Sequence, residues 1–344
     1  MKAIQLTALN QPLALVDVPD PIPAPGEVVV DLKAAALNHR DVFIQQGLYP
    51  GIALPVLPGS DGAGVVSAVG EGVDRAWLNC EVVINPALNW GTNHAVNSPE
   101  FTILGMPQAG TFAEKITIVQ TNIYHKPTHL SFQEAAALPL AGLTAWRALM
   151  SRAALSQSNP ERVLITGVGR GAALFALQFA VAAGAEVWVT SGSDEKLAKA
   201  EELGATGGVN YKEADWHKTL LKRATNGDMA QSKAGYFDVI IDSAAGPDFA
   251  KLTQVAAPAG RIAFFGGTSG KITDVQPSVV FFKQLSIYGS TMGNDSEFIE
   301  MLRFVEKHLI RPVVDSVRPL AETQEAFDRM NAGQQLGKLV LSIA

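Results

Sequence analysis

Residues 166–173 of the chain read TGVGRGAA. The apolar run VLIT before the first glycine predicts a strand, and the run AALFALQFAVAAG over residues 172–184 predicts a long apolar helix. The three glycines permit a tight turn that lets the backbone approach a pyrophosphate at the N-terminus of that helix. We therefore identify Gly167, Gly169, Arg170 and Gly171 as candidate residues for binding a dinucleotide. An ordinary strand-to-helix turn is the alternative, because alanine stands where the third glycine of Gly-x-Gly-x-x-Gly would lie.

The segments after the glycine turn alternate between strand and helix patterns. The strand pattern EVWVTS at residues 186–191 is followed by the helical pattern DEKLAKAEELGA at residues 194–205. Further β-rich runs are GGVNY (207–211), FDVIIDSA (237–244), GRIAFFGG (260–267) and LSIYGS (285–290). With VLITG these make six short runs joined by helical or loop crossovers, which predicts a doubly wound parallel sheet. The glycine turn on the first strand of such a sheet becomes strong evidence for a dinucleotide.

The first 125 residues or so have a different texture, with short strand patterns broken by proline and glycine. The runs EVVVDLKAAAL, GAGVVSAVG, CEVVINP and GTFAEKITIV predict strands of a small barrel or sandwich. Residues 85–110 have the composition of a long irregular loop over a surface or a cleft. After residue 290 a helical pattern and the strand pattern GKLVLSIA predict a return to the first domain. We therefore predict domains at 1–137 and 138–290, with a returning C-terminal segment at 291–344.

Composition and charge exclude several classes of protein. Of the 344 residues, 47% are hydrophobic and 17% are charged, which indicates a globular fold rather than a disordered one. The net charge of −6 argues against a nucleic-acid partner, and no apolar run has the length of a membrane helix. The single cysteine, Cys80, excludes an intramolecular disulfide and cysteine-rich metal sites. Since the start shows no signal-peptide pattern, we expect a cytoplasmic enzyme that acts on a small molecule.

The end of the second predicted strand favours NADPH over NADH. NAD sites usually hold an acidic residue there to bind the ribose hydroxyls, whereas this chain has Thr190, Ser191 and Gly192, with no carboxylate until Asp194. A carboxylate in contact with a 2′-phosphate would repel it by roughly 4 kcal/mol in a surface-like dielectric. Lys196 stands one turn into the next helix, although a solvated helix lysine is the competing interpretation. A methyltransferase would also need an acid at this strand end, so that alternative is disfavoured.

Motifs along the whole chain resemble one enzyme superfamily. The segments LNHRD (37–41), GLYP (47–50), PGSDGAG (58–64), LAGLTAW (140–146), the glycine turn and GKLVL (337–341) are similar to the medium-chain dehydrogenase/reductase superfamily. This resemblance implies an α/β protein with a GroES-like β-barrel catalytic domain and a Rossmann doubly wound nucleotide-binding domain. The zinc-free branch of quinone oxidoreductases and related enone reductases is the most similar.

The resemblance also implies that the protein holds no metal. Zinc alcohol dehydrogenases of the superfamily carry a metal-binding cysteine where this chain has Asn38, a histidine where it has Ser60 and a second cysteine near Leu140. The residues of this chain cannot supply the usual nitrogen and sulfur ligands. We expect Ser60 and Asp61 to be exposed turn residues at the floor of a cleft, with Asp61 holding a neighbouring backbone or Arg40.

The candidate catalytic residues lie in the segment LNHRDVFIQQGLYP. By similarity to the zinc-free reductases, Asn38 would contact substrate or nicotinamide, and Tyr49 would line the acceptor pocket. Asp41 is the third candidate, because it shares one face of a predicted short helix with Asn38. The structural alternatives are helix capping by Asn38 and a favourable first-turn position for Asp41. We expect His39 and Arg40 to be structural or surface groups, with a cofactor phosphate within reach of Arg40.

Further cofactor candidates follow from the resemblance and from the predicted sheet. The resemblance places a threonine beside the nicotinamide and three residues around a 2′-phosphate, namely Thr144 and then Ser191, Lys196 and Tyr211. Phe265 and Gly266 end the fifth predicted strand, where the loops of such sheets meet their ligand. Lys338 is a weaker cofactor candidate, with simple exposure to solvent as the alternative.

These residues together predict a zinc-free, NADPH-dependent reductase of quinones or α,β-unsaturated carbonyl compounds. Such acceptors delocalise the incoming charge and need no Lewis acid, and one hydrogen-bond donor to the developing oxyanion is typically worth on the order of a hundredfold in rate. An enoyl-thioester reductase and a non-enzymatic NADPH-binding regulator stay open as alternatives. We also expect a homodimer, formed by pairing the exposed sheet strand LSIYGS across a two-fold axis.

Overall fold

The computed structural model describes all 344 residues, and the chain divides into two compact units. The first unit comprises Met1–Leu143 and Gly293–Ala344, and the second comprises Thr144–Met292. The sequence predicted these divisions at 137/138 and 290/291. The observed division falls inside a helix, Pro139–Trp146, and Leu143 stays with the first unit because it packs against Gly293.

The N-terminal part of the first unit is built from short strands and three short helices. Its strands are β1 (Lys2–Gln5), β2 (Ala14–Asp17), β3 (Glu27–Ala36), β4 (Asp61–Val69), β5 (Glu81–Ile84), β6 (Ala87–Leu88), β7 (Thr102–Ile103), β8 (Lys115–Val119) and β9 (Ile123–His125). Its helices are α1 (His39–Gln45), α2 (Phe132–Ala137) and α3 (Pro139–Trp146). The sequence patterns predicted β3, β4, β5 and β8 but did not indicate β1, β2 and β9. Residues 85–110, predicted as an irregular loop, contain the short antiparallel pair of β6 and β7.

The second unit confirms the predicted doubly wound sheet. Its strands are β10 (Arg162–Ile165), β11 (Glu186–Ser191), β12 (Gly207–Asn210), β13 (Phe237–Asp242), β14 (Ala256–Phe264) and β15 (Ser286–Gly289). Its helices are α4 (Gly171–Ala182), α5 (Asp194–Glu202), α6 (Trp216–Ala224), α7 (Met229–Ala234), α8 (Phe249–Val255) and α9 (Pro277–Phe282). All neighbouring strands are parallel, in the order β12-β11-β10-β13-β14-β15. The direction of winding reverses between β10 and β13, and ligands of such sheets bind at that point.

The C-terminal segment belongs to the first unit. It contains α10 (Asp295–Lys307), β16 (Val314–Pro319), α11 (Thr323–Asn331) and β17 (Lys338–Ser342). Strand β17 pairs antiparallel with β3 and parallel with β16, so the end of the chain joins a seven-stranded sheet whose long central strand is β3. On β3, Val28, Val30 and Leu32 alternate toward one core, as the two-residue period of a strand requires.

The central strand of the second unit, β10, is apolar after Arg162 because both of its faces are covered. Val163, Leu164 and Ile165 of β10 are fully buried, which is the usual state of a central parallel strand. No helix combines the length and the apolar character that crossing a membrane requires, and α10, the longest, has 13 residues.

Candidate active site and nucleotide-binding turn

A buried charged cluster forms in the first unit where β17, β4 and the start of α1 meet. The Lys338 ammonium donates to Asp61 Oδ2 at 2.9 Å, to Asn38 Oδ1 at 2.8 Å and to the Leu37 carbonyl oxygen at 2.8 Å. The Asn38 amide donates to the same Asp61 oxygen at 2.9 Å. Strand pairing explains the meeting, since Ala36 at the end of β3 lies opposite both Asp61 and a residue of β17.

This geometry changes the expectation for Lys338. The side chain is only 4% exposed, so the alternative of a solvent-exposed lysine is wrong. An ammonium carries three N–H donors, and all three are engaged by acceptors of the first unit. None is left for a cofactor phosphate, which removes the physical basis of its assignment as a cofactor-binding residue.

Ser60 and Asp61 are fully buried, so the expectation that they are exposed turn residues is wrong. Asp61 starts β4, and its Oδ1 accepts the Leu140 backbone N–H at 2.8 Å. It therefore holds a neighbouring backbone, as expected, while its charge pairs with Lys338 and not with Arg40. By resemblance, the zinc enzymes would hold their ligands at Asn38, at Ser60 and near Leu140. Asn38 and Leu140 are hydrogen-bonded to Asp61, and Ser60 precedes Asp61 in the chain.

Arg40 is buried as well, so of the two expectations for it, a structural or a surface group, the surface one is wrong. Its Nη1 donates to Ser60 Oγ at 2.7 Å and to the Leu104 carbonyl oxygen at 2.8 Å. Its Nε lies 3.4 Å from the Tyr49 hydroxyl, and its guanidinium carbon lies 4.9 Å from the centroid of the Tyr49 ring. The structure thus brings Tyr49 to Arg40, and it brings the loop that follows β7 into the site through Leu104.

The loop between β7 and β8 is fixed to the PGSDGAG segment by glycine contacts. A Cβ atom built on Gly110 would lie 2.0 Å from the Gly59 carbonyl oxygen, and one built on Gly105 would lie 2.5 Å from it. The two backbones therefore pack directly against each other. This contact was not predictable from the composition of residues 85–110.

Asp41 occupies the first turn of α1 with its two carboxylate oxygens in different environments. Oδ2 accepts the Asn38 backbone N–H at 2.7 Å, which satisfies one unpaired donor at the helix start. Oδ1 is enclosed by protein and has no hydrogen-bond partner. Burial raises the pKa of Asp41 to about 6, against the opposing charge of Arg40. The side chain caps the helix, and it titrates near neutral pH.

The glycine turn of the second unit has the features of a phosphate cradle. Gly167 and Gly169 have φ angles of 65° and 119°, which side chains rarely tolerate. A Cβ atom on Gly169 would lie 2.4 Å from Lys196 Cδ, so the lysine stem lies across the turn. Arg170 precedes α4, and no side chain caps the first N–H groups of this 12-residue helix. Exposed backbone donors at a helix N-terminus fit a pyrophosphate.

A hydrogen-bond network that was not predicted from the sequence supports the glycine turn. The Asp242 carboxylate, at the end of β13, accepts the Thr166 hydroxyl at 2.5 Å and the Ala245 N–H at 2.6 Å. Gly167 N–H donates to Thr190 Oγ1 at 3.2 Å. Burial raises the pKa of Asp242, and these hydrogen bonds oppose the increase. The segment FDVIIDSA contains a sign of this network, because an acidic residue stands there at the carboxyl end of an apolar strand pattern.

The predicted phosphate residues divide into two groups. Ser191 is buried, and its hydroxyl donates to the Val168 carbonyl oxygen at 3.0 Å, so it supports the turn and has no hydrogen left for a phosphate. Tyr211 lies beside Gly192, where an added Cβ would be 2.7 Å from the Tyr211 hydroxyl. Lys212, which the sequence analysis missed, lies at the same place, with its Cε 3.1 Å from that added atom. A lysine next to Tyr211 was visible in GVNYKE.

The remaining cofactor candidates lie at two places in the second unit. A Cβ atom on Gly266 would be 2.2 Å from the Ser243 carbonyl oxygen, and one on Gly167 would be 3.0 Å from Ser243 Oγ, so both glycines lie beside Ser243. Phe265 donates its N–H to the Asp242 carbonyl oxygen at 3.2 Å, at the same sheet edge. Thr144 is buried, and its hydroxyl lies 3.8 Å from Met292 Sδ.

The donor set of the first unit does not fit a metal ion. No three His, Cys, Asp or Glu side chains are arranged so that they could hold one. The Lys338 ammonium, 2.8 Å from Asn38 Oδ1 and 2.9 Å from Asp61 Oδ2, would repel a divalent cation among these groups.

Comparisons with known proteins agree on one family. The description "alcohol dehydrogenase GroES-like domain" matches residues 24–128, and "zinc-binding dehydrogenase" matches residues 171–307. Zinc-type alcohol dehydrogenase-like protein YogA of Leptosphaeria maculans is 38% identical over 350 residues, covering 96% of this chain and 95% of that protein. Quinone oxidoreductase of Pseudomonas aeruginosa is 28% identical over 351 residues, with 99% of each covered. A crystal structure described as an NAD-dependent alcohol dehydrogenase is 39% identical, with 100% of each chain covered and a TM-score of 0.90. The GroES-like and Rossmann architecture is confirmed.

We expect Gly169→Ala to weaken binding of the nicotinamide nucleotide at least tenfold, which is about 1.4 kcal/mol. The new methyl group would meet the Lys196 stem, and a φ of 119° is strained for alanine. Calorimetric titration of each purified variant with nucleotide measures the effect. Gly184→Ala is the matched control, since Gly184 also has positive φ but an added Cβ there meets no atom within 4 Å. Equal affinities for the two variants would contradict the assignment of the turn.

We expect Asp41→Asn to remove a pH dependence of stability. Because the folded state raises the pKa of Asp41 from 3.8 to about 6, folding favours the protonated acid, and stability is lost as pH rises between those values. This gap corresponds to about 3 kcal/mol of unfolding free energy. Urea unfolding is measured from pH 4 to pH 8. As pH rises, the unfolding free energy of the variant should increase relative to that of the native protein. A constant difference across this range would show that Asp41 is not protonated in the folded state.

Proposed function

The chain belongs to the medium-chain dehydrogenase/reductase superfamily, and from that membership we propose a zinc-independent, NADPH-dependent reductase of quinones or α,β-unsaturated carbonyl compounds. The observation that carries this proposal is the buried network of Lys338, Asp61 and Asn38. By resemblance, Asn38 stands at a metal-ligand position of the zinc enzymes, and its side chain contacts the Lys338 ammonium at 2.8 Å. An enzyme with this arrangement has fixed positive charge in place of a Lewis acid.

Such a site suits acceptors that are already electrophilic. The bound nicotinamide would supply a hydride. A quinone or a conjugated carbonyl spreads the resulting negative charge onto oxygen, so hydrogen-bond donors suffice to stabilise it. Oxidising an alcohol would instead require its ionisation, which a zinc ion promotes and this donor set does not.

The choice of NADPH rests on the second unit. The backbone at the end of β11 carries Gly192 and no carboxylate, and Tyr211 and Lys212 lie against this glycine. Lys196 lies across the neighbouring glycine turn. Asp194, the first acid after β11, accepts a hydrogen bond from the Asn210 side chain at 3.0 Å. Cationic and hydroxyl groups at this strand end favour a 2′-phosphate, and the NAD dependence named for one related structure makes NADH the alternative.

We also propose that the protein is a homodimer formed through β15. This strand is at the edge of the six-stranded sheet, with its unpaired backbone groups available. Exposed apolar side chains lie on and near it, since Ile287 is 38% exposed and Phe281 and Phe282 of α9 are 60% and 80% exposed. A second copy would cover this apolar surface and the strand edge together.

We expect the purified protein to oxidise NADPH faster than NADH when quinones or enones are supplied. In Lys196→Ala the KM for NADPH should rise about tenfold more than that for NADH, because only NADPH carries the 2′-phosphate that the ammonium would attract. Initial rates with both nucleotides over a panel of acceptors measure this. Lys199→Ala is the control, because Lys199 lies on the same helix and pairs with Glu202 at 2.7 Å.

Three results would contradict parts of this proposal. A preference for NADH that is unchanged in Lys196→Ala would overturn the choice of cofactor. Loss of activity on dialysis against a chelator, with recovery on adding zinc, would overturn zinc independence. Tight nucleotide binding without turnover over the panel would favour the regulatory alternative.

We expect light scattering coupled to size exclusion to give about twice the 36.4 kDa mass of the chain. Ile287→Glu should give the mass of one chain, because it puts a charge at the edge that the partner would cover. Ile22→Glu, at an 87% exposed apolar residue of the first unit, should leave the mass unchanged. Elution of the native protein as a monomer at micromolar concentration would contradict the proposed dimer.

A further inference from the structure

Arg40 is a buried cation whose hydrogen-bond partners are all electrically neutral. It is 7% exposed, and its partners are the Ser60 hydroxyl, the Leu104 carbonyl oxygen and Tyr49. The other buried cation of the cluster, Lys338, pairs with a carboxylate. Buried charges in proteins are ordinarily paired because their desolvation is costly. The Asp41 carboxylate interacts electrostatically with Arg40 but makes no hydrogen bond to it. The guanidinium therefore has no hydrogen-bonded counter-ion in the folded chain.

The hydrogen bonds of Arg40 leave one edge of the guanidinium unused. A guanidinium has five N–H donors in a rigid plane. One on Nε is directed to Tyr49, and the two on Nη1 go to Ser60 and Leu104. Nη2 has no partner in the protein, and it is not among the enclosed atoms, in contrast to Asp41 Oδ1. Its two hydrogens are therefore held in a fixed direction without an acceptor in the protein.

No other cation of the cluster can offer a donor. The three hydrogens of Lys338 are all used, and the Asn38 amide donates to Asp61. Arg40 is therefore the cationic donor that this site presents to a ligand. Its anchor at Leu104 also makes the loop between β7 and β8 a determinant of where Nη2 points.

We propose that Arg40 is a catalytic residue, and that its Nη2 donates to the carbonyl oxygen of the acceptor as this oxygen becomes negative. The inference rests on the proposed function. When the acceptor receives a hydride at its β-carbon, a new C–H bond forms there and the C=C π pair moves toward the carbonyl. The nicotinamide is oxidised, the acceptor is reduced, and the enolate oxygen carries the charge beside Arg40. Because arginine keeps its proton in proteins, water supplies the proton that the α-carbon then takes.

The kinetic test compares Arg40→Gln with Arg75→Gln, which changes an exposed arginine of the same unit. We expect kcat with enones to fall at least a hundredfold in Arg40→Gln, with nucleotide affinity unchanged and the thermal midpoint lowered by the lost hydrogen bonds to Ser60 and Leu104. In Arg40→Ala, added guanidinium chloride should raise kcat at least tenfold. A variant that had lost its fold would show no such recovery. A native kcat in Arg40→Gln would overturn the inference.

A binding measurement tests Arg40 without turnover. The absorbance of 4-nitrophenol, whose phenolate resembles an enolate oxygen, reports its ionisation when bound. A fixed cation should lower its pKa by about one unit in the native protein, and Arg40→Gln should abolish this shift. No binding to the native protein, or the same shift in the variant, would overturn the inference. If the native protein reduces no acceptor, the proposed function fails, and the phenolate shift still decides the role of Arg40.

Discussion

The ion pair of Lys338 and Asp61 determines the arrangement of the first unit around its site. The two residues are 277 positions apart and 4% and 0% exposed in their side chains. Removing both charges from water costs several kcal/mol per ion, which close pairing offsets only if the remaining donors and acceptors are also satisfied. Here Leu37, Asn38 and Leu140 provide those partners. The last strand of the chain is thereby tied to the starts of α1, β4 and α3.

The second unit uses a related device under the glycine turn. Asp242 is buried at the end of β13, and protein donors at Thr166 and Ala245 fill its carboxylate oxygens. These bonds connect the ends of β10 and β13, the two strands between which the winding reverses. In both units a carboxylate satisfied by protein donors fixes backbone segments. Asp41 differs, because its Oδ1 has no donor and its pKa is raised to about 6.

Local patterns were enough to predict the sheet of the second unit but not the burial of polar residues in the first. The six β-rich runs and their crossovers indicate a parallel sheet because the central runs are apolar enough to bury both of their faces. Ser60 and Asp61 look exposed in a glycine-rich turn, yet pairing of β4 with β3 and the packing of residues 105–112 enclose them. Arg40 and Lys338 are buried by contacts 64 and 277 residues away in the chain. Hydrophobic periodicity over a short stretch of sequence contains no information about contacts between residues so far apart in the chain.

The contacts of the two buried carboxylates, Asp41 and Asp61, support the reductive function that we propose over oxidation of an alcohol. An alcohol must lose its proton as hydride leaves, so oxidation needs a metal or a general base within reach. The Asp61 oxygens accept three N–H donors from Asn38, Leu140 and Lys338. The free oxygen of Asp41 is enclosed by protein. Neither carboxylate therefore has an oxygen free to take a proton. This agrees with the acceptor that we propose, which would need charge stabilisation only.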